Sequence, residues 1–270
     1  MMNFVQKLRA AQEKNRSWLC VGLDPTADHM PPGVDVSTFS RALVEATADL
    51  ACAYKPNLYF YLTYGAEGLA ALRDVITHMP NHIPVILDAK LGDIGYTATH
   101  YGRFAFETLG VDAVTVTPYV GMDAVQPLLE YPERMVFVLA RSSNRTGNDF
   151  QMWPTSHQPL YRYVTAQTNT LAAHYPDQLG LMVGATQPAD LIEMRSWAPN
   201  LPFLIPGLGT QEGDLDTSIQ HGITRTGIGP VLSVTRAINY ASQDPAGYVD
   251  AARAAAQHWV EKIRTVQGAR

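Results

Sequence analysis

Short runs of apolar and β-branched residues alternate along the chain with segments whose apolar positions recur at helical spacing. The extended runs are Trp18 to Leu23, Ala53 to Leu58, Pro84 to Leu87, Ala113 to Val116, Met135 to Leu139, Gly180 to Val183, Pro202 to Ile205 and Val231 to Val234. Between them, Leu69, Leu72, Val75 and Ile76 share one helical face that ends before Pro80, and Tyr101, Phe104, Ala105 and Leu109 form another that ends at Gly110. Phe4 to Arg16 reads as an amphipathic helix ahead of the first strand. Regular alternation of strand and helix implies a parallel sheet, and eight such units favour closure into a barrel over an open doubly wound sheet. The predicted fold class is therefore α/β, a single-domain (β/α)8 TIM barrel over residues 1–270 with an N-terminal helix. For the eighth strand, Gly222 to Gly229 competes with Val231 to Val234. Asn144 to Pro159 reads as a long loop, of the kind that serves a site.

Composition narrows the function. A chain of 270 residues can form one large domain and bury a core without metals or disulfides. Twenty Lys and Arg against 25 Asp and Glu leave a net charge of -5, which argues against a nucleic-acid partner. The longest apolar run, Met135 to Ala140, falls far short of the ~20 residues that cross a bilayer, so no membrane partner is expected. Phe4 to Arg16 lacks the apolar core of a signal peptide. Cys20 and Cys52 each sit in apolar surroundings, as buried free thiols do in a reducing compartment, and the expected location is cytoplasmic.

In such a barrel the chemistry belongs where strands end and loops begin. Those places carry Asp24, Lys55, Asp88 with Lys90, Thr117, Arg141 with Ser143, Thr186, Gly207 with Gly209, and Arg236. The densest group is Asp88-Ala89-Lys90-Leu91-Gly92-Asp93. Residues two apart in an extended strand face one side, so Asp88 and Lys90 are expected to point together into the barrel mouth. Lys55 and Asp24 extend them into an alternating array of cations and carboxylates, which favours the charged form of each lysine. A structural ion pair at a strand end is the plainer account, and position after the third strand favours function. The run Pro206-Gly207-Leu208-Gly209-Thr210-Gln211, followed later by Arg236, suits a phosphate: glycines let backbone N–H groups approach an anion, and arginine adds a bidentate charge. Ordinary glycine turns are the alternative. The spacing is neither a dinucleotide fingerprint nor a Walker A loop.

Other features carry less. His78 and His82 have metal-like spacing, but Pro80 between them breaks a shared helical face. With no HExxH or paired-cysteine motif, no metal is expected. Tyr59, Phe60, Tyr61 and Tyr64, and likewise Trp153, Trp197 and Trp259, read as packing residues.

Asp88-Ala-Lys90-Leu-Gly-Asp93-Ile with Thr97 resembles the DxKxxD signature of orotidine 5'-phosphate decarboxylases. Leu19-Cys-Val-Gly-Leu-Asp24-Pro25, Lys55-Pro56-Asn57, Thr115-Val-Thr-Pro-Tyr119, Ser142-Ser143-Asn144 and Pro206-Gly-Leu-Gly-Thr-Gln211 follow in the family's order, and the length resembles its longer bacterial branch. The resemblance implies decarboxylation of orotidine 5'-monophosphate to UMP and CO2, with no cofactor. By the same resemblance Lys90 stabilises and protonates C6 beside Asp88, and Lys55 completes the charged array. Asp93 and Thr97 arrive from the second subunit of a homodimer with shared active sites. Asp24 holds ribose hydroxyls, Ser143 the pyrimidine, and Gln211 with Arg236 the phosphate, Arg225 being the rival for that last role. Thr117 and Arg145 depart from the residues common in the family at those places. Two alternatives stand beside this reading. One is a magnesium-dependent sugar-phosphate decarboxylase or aldolase of the same barrel suprafamily, in which an acidic metal ligand replaces Lys55. The other is a non-catalytic nucleotide-binding barrel.

Overall fold

The computed structural model describes residues 2–155 and 158–268. Met1, Ala269 and Arg270, at the ends of the predicted domain, and Ser156 and His157, within the predicted long loop, lie outside the described residues. The chain runs α1 (Phe4–Asn15), β1 (Leu19–Leu23), α2 (Val36–Thr47), β2 (Ala53–Pro56), α3 (Leu58–Leu62), α4 (Gly65–His78), β3 (Ile86–Leu91) and α5 (Gly95–Gly102). A π-helical segment, Arg103–Thr108, prolongs α5 before β4 (Ala113–Val116), and two 3-10 turns lead to β5 (Met135–Arg141). Then follow α6 (Asn148–Gln151), α7 (Leu160–Ala172), β6 (Leu179–Val183), α8 (Pro188–Trp197), β7 (Phe203–Ile205), α9 (Leu215–Gly222), β8 (Val231–Val234), α10 (Arg236–Asn239) and α11 (Tyr248–Gly268).

All strand pairs are parallel, in the order β2-β1-β8-β7-β6-β5-β4-β3. Parallel bridges Tyr54↔Val85 and Asn57↔Asp88 complete the ring between β2 and β3. The predicted (β/α)8 architecture is thus present. Strand residues alternate between two apolar layers, as a period of two requires. Leu19, Val21, Tyr54, Leu87, Val114, Val136 and Leu232 pack outward against the helices. Cys20, Ala53, Ile86, Ala113, Met135, Phe137, Leu204 and Val231 fill the interior with Phe4, Val5 and Leu8 of α1.

Helix α1 therefore floors the barrel at the N-terminal ends of its strands. Asn3 and Gln6 form a reciprocal capping box at its start. The Phe4 ring meets Phe137 edge-on at 5.6 Å, and Gly180 leaves room for the Phe137 ring, since a Cβ there would lie 2.7 Å from it. Gln12 donates from Nε2 to Gly229 O at 3.0 Å, tying the floor to the entry of β8.

Several expectations need correction. Strand β3 continues to Leu91, beyond the predicted end at Leu87, and β2 stops at Pro56 because Asn57 caps α3. Gly222 to Gly229 forms the end of α9 and a turn, leaving Val231–Val234 as the eighth strand. The stretch from Asn144 contains a 3-10 turn and α6. Trp153 and Trp197 are exposed, as is Tyr59, whereas Tyr61 is buried and Trp259 packs on the core. Arg141 is no mouth residue: it is 2% exposed and bonds Asp190, Gln151 and Asn148, which fastens α6 and α8 beneath the loop.

Candidate active site

The interior layer changes character toward the C-terminal ends of the strands. Two residues above Ala53 stands Lys55, above Ile86 stands Asp88, above Ala113 stands Thr115, and above Val231 stands Ser233. Same-face alternation thus sets a polar tier on an apolar floor. Above that tier lies a cavity of about 250 Å³, and its wall includes Asp24, Lys55, Asp88, Lys90, Ser143, Gln211 and Arg236.

Asp88 is the hub. Its Oδ2 accepts from Lys55 Nζ at 2.8 Å and its Oδ1 from Lys90 Nζ at 2.7 Å. The Asp88 and Lys55 side chains are each 5% exposed, against 41% for Lys90. The charge chain thus has a buried anchor and an accessible tip. Burial works against the Asp88 charge, but Lys55 and Lys90 outweigh it and hold the carboxyl well below the usual carboxylate range. Burial likewise opposes the charge of Lys55, while Asp88 and Asp24 outweigh it and hold the ammonium above the usual lysine range. Asp24 is pushed up by burial, with Lys55 opposing. Its Oδ1 atom is enclosed and has no hydrogen-bond partner among the described residues.

Asp88 and Lys90 meet as expected, but for a different reason. Lys90 has φ +46°, in the left-handed region, so simple strand alternation does not aim it. The register of β3 against β4 shifts between Leu87 and Leu91, and this irregularity carries the pair.

The wall opposite comes from the loops after β5 and β7. Ser143 rests on Gly184 and Gly207: a Cβ on Gly184 would lie 2.6 Å from Ser143 Cα, and one on Gly207 2.8 Å from Ser143 Cβ. Thr186, read as a strand-end candidate, donates from Oγ1 to Ser143 O at 2.8 Å and so supports that loop. Gly207 and Gly209 have φ of +97° and +85°, conformations that suit glycine. Leu139, Met182 and Pro206 give the cavity an apolar side. Arg236, directly after β8, lines the cavity; Arg225 lies before that strand, at the other end of the barrel, and is exposed.

Asp93 and Thr97 do not line the cavity formed by this one chain. Asp93 accepts from the Ile94 N–H at 2.8 Å, and Thr97 lies in α5 beside Ile94 and Tyr96, which are 59% and 81% exposed. Thr115, quoted above only within a family run, and Ser233 and Thr235 are not singled out by the strand-end rule; the first two stand at inward parity inside apolar runs, which is the signal that reveals them. Among the described residues, no group of three or more His, Cys, Asp and Glu is placed to hold a metal ion.

The model of the orotidine 5'-phosphate decarboxylase / HUMPS family matches residues 17–252. An orotidine 5'-phosphate decarboxylase of Thermomicrobium roseum is 44% identical over 97% of this chain and 96% of its own length, and that of Ralstonia nicotianae is 44% identical over 97% and 98%. The solved Leishmania donovani OMP decarboxylase superposes with a TM-score of 0.85 at 38% identity, covering 98% of this chain and 99% of that one. Leishmania donovani UMP synthase gives a TM-score of 0.87 at 39% identity, and the match spans 57% of that longer chain. With the matched residues including every strand of the barrel, the chain belongs to the orotidine 5'-phosphate decarboxylase / HUMPS family.

Proposed function

We propose that the cavity decarboxylates orotidine 5'-monophosphate to UMP and CO2 without a cofactor. The observation that carries this reading is the Lys55–Asp88–Lys90 chain, in which one buried carboxylate holds two ammonium groups and leaves only Lys90 open to the mouth. When the C6–carboxylate bond of the substrate breaks, the electron pair stays on an sp2 ring carbon with no carbonyl placed to delocalise it. A fixed ammonium aimed at that carbon stabilises the charge as it develops. Lys90 then gives a proton to C6, completing UMP, and recovers one from solvent. Asp88 orients Lys90, and its charge beside the departing carboxylate raises the ground state.

The remaining contacts suit the rest of the substrate. The enclosed, unpartnered Asp24 Oδ1 is an acceptor for a ribose hydroxyl. Ser143 faces the pyrimidine beside Leu139 and Met182, and Arg236 with Gln211 takes the phosphate. Phosphate binding far from C6 supplies free energy that holds the reacting groups together. Lys55 puts an ammonium, which has no lone pair to coordinate a cation, where a magnesium-dependent relative needs an acidic ligand.

A homodimer with shared sites fits the position of Asp93 and Thr97. Exposed Ile94 and Tyr96 adjoin them, and Tyr119 and Val120, 75% and 48% exposed, add apolar surface for a second copy to cover. Two buried free thiols, Cys20 and Cys52, support a cytoplasmic setting. Among the described residues, no helix is long and apolar enough to cross a membrane.

The test is the ultraviolet absorbance of orotidine 5'-monophosphate with the purified protein in excess EDTA, beside Lys90→Ala. Conversion that survives EDTA and vanishes in the variant is expected. No conversion by folded protein overturns the reading and directs the search to magnesium-dependent sugar phosphates.

A further inference from the structure

Thr115 sits where β3 leaves regular pairing. Leu87 pairs with Val114 and Leu91 with Val116, so Asp88, Ala89 and Lys90 of β3 together oppose the single residue Thr115 of β4. Such a bulge takes backbone N–H groups out of the ladder, and a buried N–H needs an acceptor. The Thr115 hydroxyl supplies it, accepting from the Ala89 N–H at 3.1 Å and the Lys90 N–H at 2.9 Å. A hydroxyl has one proton and two acceptor sites. With both acceptor sites filled by N–H donors, the proton goes to Asp88 Oδ1, 2.9 Å away. Thr115 is fully buried, so water does not compete for these contacts. One hydroxyl therefore fixes the backbone that places Lys90, at its left-handed φ of +46°, and the carboxylate to which Lys90 is bound.

We infer that Thr115 is a positioning residue for the decarboxylation, holding the β3 bulge in the shape that aims the Lys90 ammonium at the reacting carbon. This rests on the functional reading above. It separates Thr115 from a hydroxyl that merely satisfies itself in the core. Residues placed on ribose, pyrimidine and phosphate come from the ends of other strands, so loss of the hydroxyl acts on the chemical step while binding persists.

Thr115→Val keeps the shape and removes the hydroxyl, and Thr115→Ser keeps the hydroxyl. The expected result is a roughly 10- to 100-fold fall in kcat for Thr115→Val. KM and UMP affinity by calorimetry are expected to stay within about threefold, and Thr115→Ser to recover most of the rate. If Thr115→Val does not fold, Thr115→Ala is scored in the same way. A folded hydroxyl-free variant with a lower melting temperature but unchanged kcat overturns the inference, as does Thr115→Ser failing along with it. An inactive unaltered chain would instead overturn the functional reading itself; an active one with unaffected variants overturns only the role of Thr115.

Discussion

Asp88 accepts from two ammonium groups and one hydroxyl while 4% exposed, so its neighbours depend on its charge. Asp88→Asn leaves buried Lys55 without its partner carboxylate. A loss of about 3–5 kcal/mol in urea unfolding, with loss of activity, is expected. Replacing both members, Lys55→Met with Asp88→Leu, removes the uncompensated charge; the double variant should be inactive yet more stable than Asp88→Asn. The pH dependence follows from the same group. The folded-state pKa of Asp88 lies below its unfolded value, so its contribution to stability is full above the unfolded carboxylate range, roughly pH 4, and falls as pH drops toward the folded value. Stability measured in steps from about pH 5 to pH 2 should decline more steeply for the unaltered chain than for Asp88→Asn.

At the scale of elements, the loop after β7 tests how closely the wall is built. Gly207→Ala places a methyl 2.8 Å from Ser143 Cβ and 3.1 Å from Gln211 Oε1 at a φ of +97°. We expect about 1–2 kcal/mol of destabilisation by thermal melting, with UMP bound roughly tenfold more weakly by calorimetry. The strands and the mouth residues were legible because both follow local rules: alternation within a run, and charge or glycine at its end. What lay hidden depends on distant partners. The bulge at Asp88 to Lys90 exists only against Thr115, and alternation alone predicts an ordinary extended strand there. The short α6 holds because Arg141, seven residues before Asn148, is sealed beneath it and also reaches Asp190. Phe150 and Trp153 carry no local mark of exposure, and both are exposed. For Asp93 and Thr97 the strand-end rule gave the region but not the cavity, because neither faces the inside of its own barrel.

For the whole molecule, the shared-site reading makes a prediction that a single chain cannot satisfy. Mixing Asp93→Asn subunits with Lys90→Ala subunits should restore part of the activity, since one of the two sites in each hybrid regains both groups; confirmed mixed dimers without recovery would count against sharing. The floor of the barrel has a consequence for synthesis. Phe4, Val5 and Leu8 are synthesised ahead of every strand of the barrel, whereas the carbonyl at Gly229 that Gln12 grips lies 217 residues beyond Gln12. Helix α1 thus carries an uncovered apolar face while all eight strands are being made. Its seat is complete only when β8 has been made, so that apolar surface stays open on the growing chain until the barrel can shut.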